Sequence, residues 1–122
     1  MATNIFLLPL VEIEFETGTN EDWLDSVLYF EDDGVTPIDL TGISFRMQVR
    51  KRADDATVYI DASTDNGLLS AGSNGVLGRY VLEDHMKAIK PGDYVFDVVA
   101  EADGHACRVE YGSLTIIEGV TR

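Results

Sequence analysis

The sequence predicts an all-β fold, an antiparallel β-sandwich of about seven or eight strands with one short helical crossover at about residues 83–90. Three observations predict it. Apolar residues recur with period two along most of the chain, the spacing of strands that turn one face to a core. Turn chemistry separates these runs at Asp32-Asp33-Gly34, Thr41-Gly42, Asp65-Asn66-Gly67, Ser73-Asn74-Gly75, Pro91-Gly92 and Ala102-Asp103-Gly104. Glycine after Asp or Asn supplies the positive φ that tight hairpins require. Only Glu83 to Ile89 reads as helix, and Pro91-Gly92 closes it, so one or two turns crossing between sheets are expected.

The elements follow in order. Val11, Ile13 and Phe15 alternate with Glu12, Glu14 and Glu16. In the next run Leu24, Leu28 and Phe30 share one face, with Trp23, Val27 and Tyr29 on the other. Ile43, Phe45, Met47 and Val49 alternate with Ser44, Arg46, Gln48 and Arg50, the cleanest alternation in the chain. Val58, Ile60 and Ala62 form a further strand, and Val76, Tyr80 and Leu82 the apolar face of another. Tyr94, Phe96, Val98 and Ala100 alternate with Val95, Asp97, Val99 and Glu101. Cys107, Val109 and Tyr111 lead into Leu114, Ile116 and Ile117, and the change of face near Gly112 predicts a bulge or bend there. Residues 1–7 show neither alternation nor turn chemistry and are expected to be a flexible arm or an edge strand. Residues 8–122 then form a single domain, the usual outcome for 122 residues.

Charge is unevenly placed. The net formal charge is −13. Residues 1–45 hold ten acids and no bases, whereas 46–122 hold twelve acids and nine bases, four of them in the seven residues 46–52. Arg46, Arg50, Lys51 and Arg52, the acidic run Glu12, Glu14 and Glu16, and the terminal Arg122 are therefore the candidate interaction surface. A basic stripe of one copy facing an acidic surface of another would give a homo-oligomer. Nucleic-acid binding is not expected, because phosphate recognition needs a basic surface. Apolar runs of four residues or fewer, such as Ile5-Phe6-Leu7-Leu8, predict no membrane helix, which needs about 20. The lack of Lys or Arg before residue 46 argues against a secretory signal.

The residues offer little chemistry, and the chain is read as a non-enzyme without a cofactor or metal. A hydrolytic triad needs a nucleophile, a base and a group that orients the base. His85 lies in the polar crossover and His105 in a hairpin turn. Cys107 shares a strand face with His105 but lies in an apolar pattern, as a small buried hydrophobe does. One cysteine excludes an internal disulfide. Asp61, Ser63, Asp65 and Gly67 look like a calcium loop, yet the glycine comes one residue late and position 72 is glycine rather than a bidentate acid. Glu31-Asp32-Asp33 is another run of acids, but adjacent acids at a strand end are expected to point apart into water. Gly72-Ser73-Asn74-Gly75 lacks the lysine of a phosphate loop. Asp97, among apolar neighbours, is expected to pair across the sheet with an arginine, Arg46 or Arg79, as a buried ion pair.

Several segments in order carry a resemblance. Pro37-Ile38-Asp39-Leu40-Thr41-Gly42 precedes Phe45-Arg46-Met47-Gln48-Val49-Arg50. Gly92-Asp93-Tyr94-Val95-Phe96-Asp97-Val98 and Gly112-Ser113-Leu114-Thr115-Ile116 follow, and the chain ends Val120-Thr121-Arg122. Over residues 37–122 this resembles the small immunoglobulin-like structural proteins of tailed bacteriophages and prophages, from the tail and head-to-tail regions. The resemblance implies an immunoglobulin-like sandwich made in the bacterial host cytoplasm and incorporated into the virion, with other virion proteins as partners. The lack of a Cys-Trp-Cys pattern sets it apart from antibody-type domains. Two alternatives stay open. One is an adhesion or carbohydrate-binding module, which would need an exposed aromatic such as Trp23. The other is an acidic nucleic-acid mimic that inhibits a host protein.

Overall fold

The computed structural model describes residues 4–31 and 33–121. Eight strands build two sheets: β1 (Val11–Gly18), β2 (Trp23–Leu28), β3 (Ser44–Arg50), β4 (Ile60–Ser63), β5 (Leu69–Ala71), β6 (Val76–Val81), β7 (Gly92–Ala102) and β8 (His105–Ile117). Five pair in the order β1-β8-β7-β3-β4 and three in the order β2-β6-β5. In immunoglobulin lettering the smaller sheet is B-E-D, and β8-β7-β3-β4 is G-F-C-C′, so the fold is an immunoglobulin-like β-sandwich. Periodicity did not predict β5, whose three residues are too few to alternate.

One pairing is not antiparallel. β1 runs parallel to β8, with Val11 opposite Glu110 and Gly18 opposite Ile117. Parallel neighbours need a long connection, and here almost the whole domain supplies it. Gly112 lies opposite Ile13, and a Cβ there would run into the Ile13 carbonyl. Glycine thus lets the acidic edge strand close on β8.

The bulge falls three residues before Gly112. Val98 faces Glu110 while Val99 faces Arg108, leaving Val109 as the extra residue. A bulge turns two successive residues to one side. Val109 and Glu110 are accordingly both buried, and Tyr111 turns outward instead of continuing the inner face. At the other end of this hairpin Asp103 and Gly104 have φ of 52° and 77°, the pair of positive values that a two-residue primed turn demands.

The crossover contains a single helical turn, Glu83–Met86. The Asp22 carboxylate accepts from the Glu83 N–H at 2.7 Å, and Met86 and Ile89 are buried. The Tyr94 hydroxyl then donates to the Lys90 carbonyl at 2.6 Å, forming the tyrosine corner of immunoglobulin folds. Two residues further, Phe96 occupies the position of the second cysteine of antibody domains. It meets Trp23 of the opposite sheet edge-to-face at 5.5 Å, and Trp23 also stacks on Phe15 at 5.5 Å. Aromatic packing ties the sheets where a disulfide otherwise would, and Cys107 on β8 stays free.

Residues 4–8 are neither arm nor edge strand. Asn4 caps a 3-10 turn at Ile5–Leu7 by accepting from the Phe6 N–H. Ile5 and Leu8 are buried in the core, and the Phe6 ring meets His105 edge-on at 6.0 Å. Residues 1–3 lie outside the described residues.

Candidate functional site

Strand parity builds the outer face of the larger sheet. On β3 it sends Phe45, Met47 and Val49 into the core and Arg46, Gln48 and Arg50 outward. On β1 it turns Glu12, Glu14 and Glu16 outward. Register then lines up rows across four strands: Glu12, Tyr111, Asp97, Gln48 in one, and Glu14, Ser113, Val95, Arg50 in the next. Acidic and basic stripes thus lie on the same face, three strand spacings or about 14 Å apart.

A cleft of about 460 Å³ opens on the basic side, lined by residues 51–53 just after β3 together with side chains of the sheet. Arg50, Lys51, Arg52 and Arg108 line it with Tyr111 and a single carboxylate, Asp97. Arg50 donates to the Gln48 side-chain oxygen at 2.7 Å and to the Asp55 carbonyl, which pins the loop. The Arg108 guanidinium lies 4.9 Å from the centre of the Tyr111 ring, and Lys51 Nζ 5.2 Å from that of Tyr94. Arg52 has only Asp54, at 3.7 Å, with both side chains more than four-fifths exposed. Such a contact adds little. Among the described residues no carboxylate lies within ion-pair distance of Arg50, Lys51 or Arg108. Of the other predicted surface residues, Arg46 lies on the same face outside the cleft, and Arg122 lies outside the described residues.

The expected Asp97–Arg46 ion pair does not form. Arg46 pairs with Glu101 at 2.6 Å, with both side chains substantially exposed. Asp97 is half-buried opposite Gln48 and Tyr111. Both residues point away from the core, where water solvates charge and no buried partner is needed.

The buried charge cluster lies inside the sandwich instead. Arg79, 3% exposed, forms a two-pronged pair with Asp25 at 2.8 Å and reaches Glu110, 1% exposed, at 3.2 Å. Its guanidinium is 4.7 Å from the Trp23 ring centre and 5.3 Å from that of Phe96. Burial pulls the Arg79 pKa down, but Asp25 and Glu110 more than offset this and hold it above its ordinary value. Burial pushes the Glu110 carboxyl above the usual range against the pull of Arg79, and its Oε2 has no hydrogen-bond donor among the described residues. Sequence reading missed this cluster because Val76, Tyr80 and Leu82 suggested the opposite inner face of β6. Leu77, Arg79 and Val81 are the buried set. The available signal was Asp25 and Arg79, each at an odd position among the residues that do bury.

The other candidates resolve as structure. Trp23 is fully buried, so it cannot be the exposed aromatic that a glycan-binding module would present. In the Asp61–Gly67 turn the Asn66 side chain accepts from the Ser63 and Leu68 N–H groups and donates to the Asp61 carbonyl. Among the described residues no group of three His, Cys, Asp or Glu is placed to hold a metal, and no helix is long and apolar enough to cross a membrane. Cys107 packs partly buried against the core. Leu24, Leu28, Phe30, Tyr80 and Leu82 are each about half exposed, all on the outer side of the smaller sheet.

No family model and no curated protein matches this chain. Among solved structures, an endo-β-1,4-mannanase from Thermotoga petrophila aligns with 85% of this chain at 8% identity and a TM-score of 0.48. Murine CRIg aligns with 87% of this chain and 92% of its own at 13% identity and a TM-score of 0.36. A family 123 glycoside hydrolase from Clostridium perfringens aligns with 93% of this chain and 24% of its own at 12% identity and a TM-score of 0.32. The chain spans only 18% of the mannanase, and none of these likenesses assigns it to a family.

Proposed function

We propose that this chain is a non-enzymatic structural module of a bacteriophage or prophage virion, in the tail or head-to-tail connector, that works by binding other virion proteins. The observation that supports a binding role is the outer face of the larger sheet, where Arg50, Lys51 and Arg108, with no carboxylate in ion-pair distance among the described residues, line an open cleft on the same face as an acidic edge. Charge arranged in separate stripes selects partners and fixes their register. The virion setting rests on the ordered segments between residues 37 and 122 that resemble phage structural proteins. Peptide mass spectrometry of purified particles from the source strain is the test. Stoichiometric recovery of peptides such as Tyr80–Lys87 is the expected result. Their absence from particles, with the protein abundant in induced cells, would overturn the virion role.

A further inference from the structure

We infer that the outer face of the larger sheet pairs with the same face of a second copy, about a two-fold axis parallel to the strands and between β7 and β8. The inference deepens the assembly role proposed above by naming one partner. The geometry follows from the rows. A two-fold axis in that position lays β1 of each copy over β3 of the other and keeps residues at the same height along the strands. Glu14 then faces Arg50 of the second copy, because both lie in one row of the register. Lys51 and Arg52, which follow Arg50 at the end of β3 and line the cleft, then lie beside the acidic edge of the other copy, and the contact occurs twice. A two-fold axis perpendicular to the strands would instead stack acid on acid and base on base.

The middle of the face mixes apolar and charged side chains. Val95, Val99 and Tyr111 lie between the stripes and are partly exposed, interleaved with the outward carboxylates Asp93, Asp97 and Glu101 of β7 and with Arg108 of β8. Four strands about 4.8 Å apart and about seven residues long present roughly 450 Å² of flat face per copy before side-chain relief is counted. Two such faces give roughly 900 Å², just under the roughly 1,000 Å² that a biological interface should clear, and the side-chain relief of both copies adds to it. The arrangement differs from head-to-tail pairing because both stripes share one face, so the contact closes at two copies and does not propagate. The outer face of the smaller sheet is more apolar, but nothing in its charge selects an occupant.

Sedimentation of the full chain tests this with two surface variants, Glu14→Lys/Glu16→Lys and Lys51→Glu/Arg52→Glu. The wild type is expected to be dimeric at about 50 mM salt and to dissociate as screening increases toward about 500 mM. Each variant alone should lose at least about tenfold in association constant. An equimolar mixture of the two should regain it, because a mixed dimer restores opposite charges at both contacts. A monomeric wild type at low salt, variants that dimerise unchanged, or a mixture that stays monomeric would each overturn the inference. So would a dimer that Leu24→Ser/Leu28→Ser abolishes while both charge variants leave it intact. Monomers in solution together with stoichiometric incorporation into particles would sink the self-pairing and leave the virion role standing.

Discussion

Arg79 and Arg108 sit on opposite sides of one sheet and do different work. Arg79 reaches across the sandwich to Glu110 and has no access to water, whereas Arg108, two residues before Glu110, lies over Tyr111 in an open cleft. The bulge at Val109 separates the two environments, turning Glu110 in and leaving Arg108 out. The comparison teaches that burial, rather than residue type, decides whether an arginine holds the fold or is available to a partner. Inside, a guanidinium must be paired on every side to offset lost hydration. Outside, water solvates it, and the absence of a carboxylate partner costs little.

Substitution should therefore separate stability from association. The largest effect is expected for Arg79→Met, which leaves the buried Glu110 and the half-buried Asp25 without their shared cation. Breaking a buried pair from one side costs about 3–5 kcal/mol, to be read as a fall in urea midpoint. A loss below about 1 kcal/mol would mean that the interior pairs are weakly coupled to folding.

Glu110→Gln sharpens the same point through pH. The folded carboxyl holds its proton more tightly than the unfolded one, whose ordinary pKa is 4.5. The stability associated with that proton is present below pH 4.5 and is lost as pH rises through the higher folded value. The glutamine variant keeps a neutral group at all pH values. Its unfolding free energy, measured against wild type, should improve progressively from pH 4.5 toward neutrality. A constant difference across that range would show that Glu110 titrates alike in both states.

A smaller effect is expected for Tyr94→Phe, which removes the bond to the Lys90 carbonyl and should cost about 1 kcal/mol. Amide exchange should quicken around residues 87–91 before it does in β7. The smallest stability effect belongs to Arg108→Ser, within about 0.5 kcal/mol, as for most surface changes. A melting curve close to wild type, with weaker salt-sensitive association, would complete the contrast with Arg79. Marked destabilisation by Arg108→Ser would break it.

Much of the fold was legible from local pattern. Alternation located seven of the eight strands, and the Asp-Gly hairpin at 103–104 and the crossover near 83 appeared where turn chemistry put them. The parallel register of β1 was not legible, because alternation gives a strand its faces but not its neighbour. Nor was the inner face of β6. Val76, Tyr80 and Leu82 make as good an apolar stripe as Leu77 and Val81, and although Arg79 was one of two arginines expected to be buried, its partners are Asp25 and Glu110 rather than Asp97. For the candidate surface, sequence supplied the charges but not their common face.

By itself, then, the sequence determined the class of fold, the positions of most strands and the existence of an acidic and a basic stripe, because period-two patterning and turn residues act over a few neighbours. Only the tertiary structure decided that Trp23 is interior, that Arg79 rather than Arg46 is the buried cation, and that Glu14 and Arg50 share a row. Those outcomes depend on which strands meet across the sandwich and in what register. Contacts between residues tens of positions apart set that choice, and no local pattern contains it.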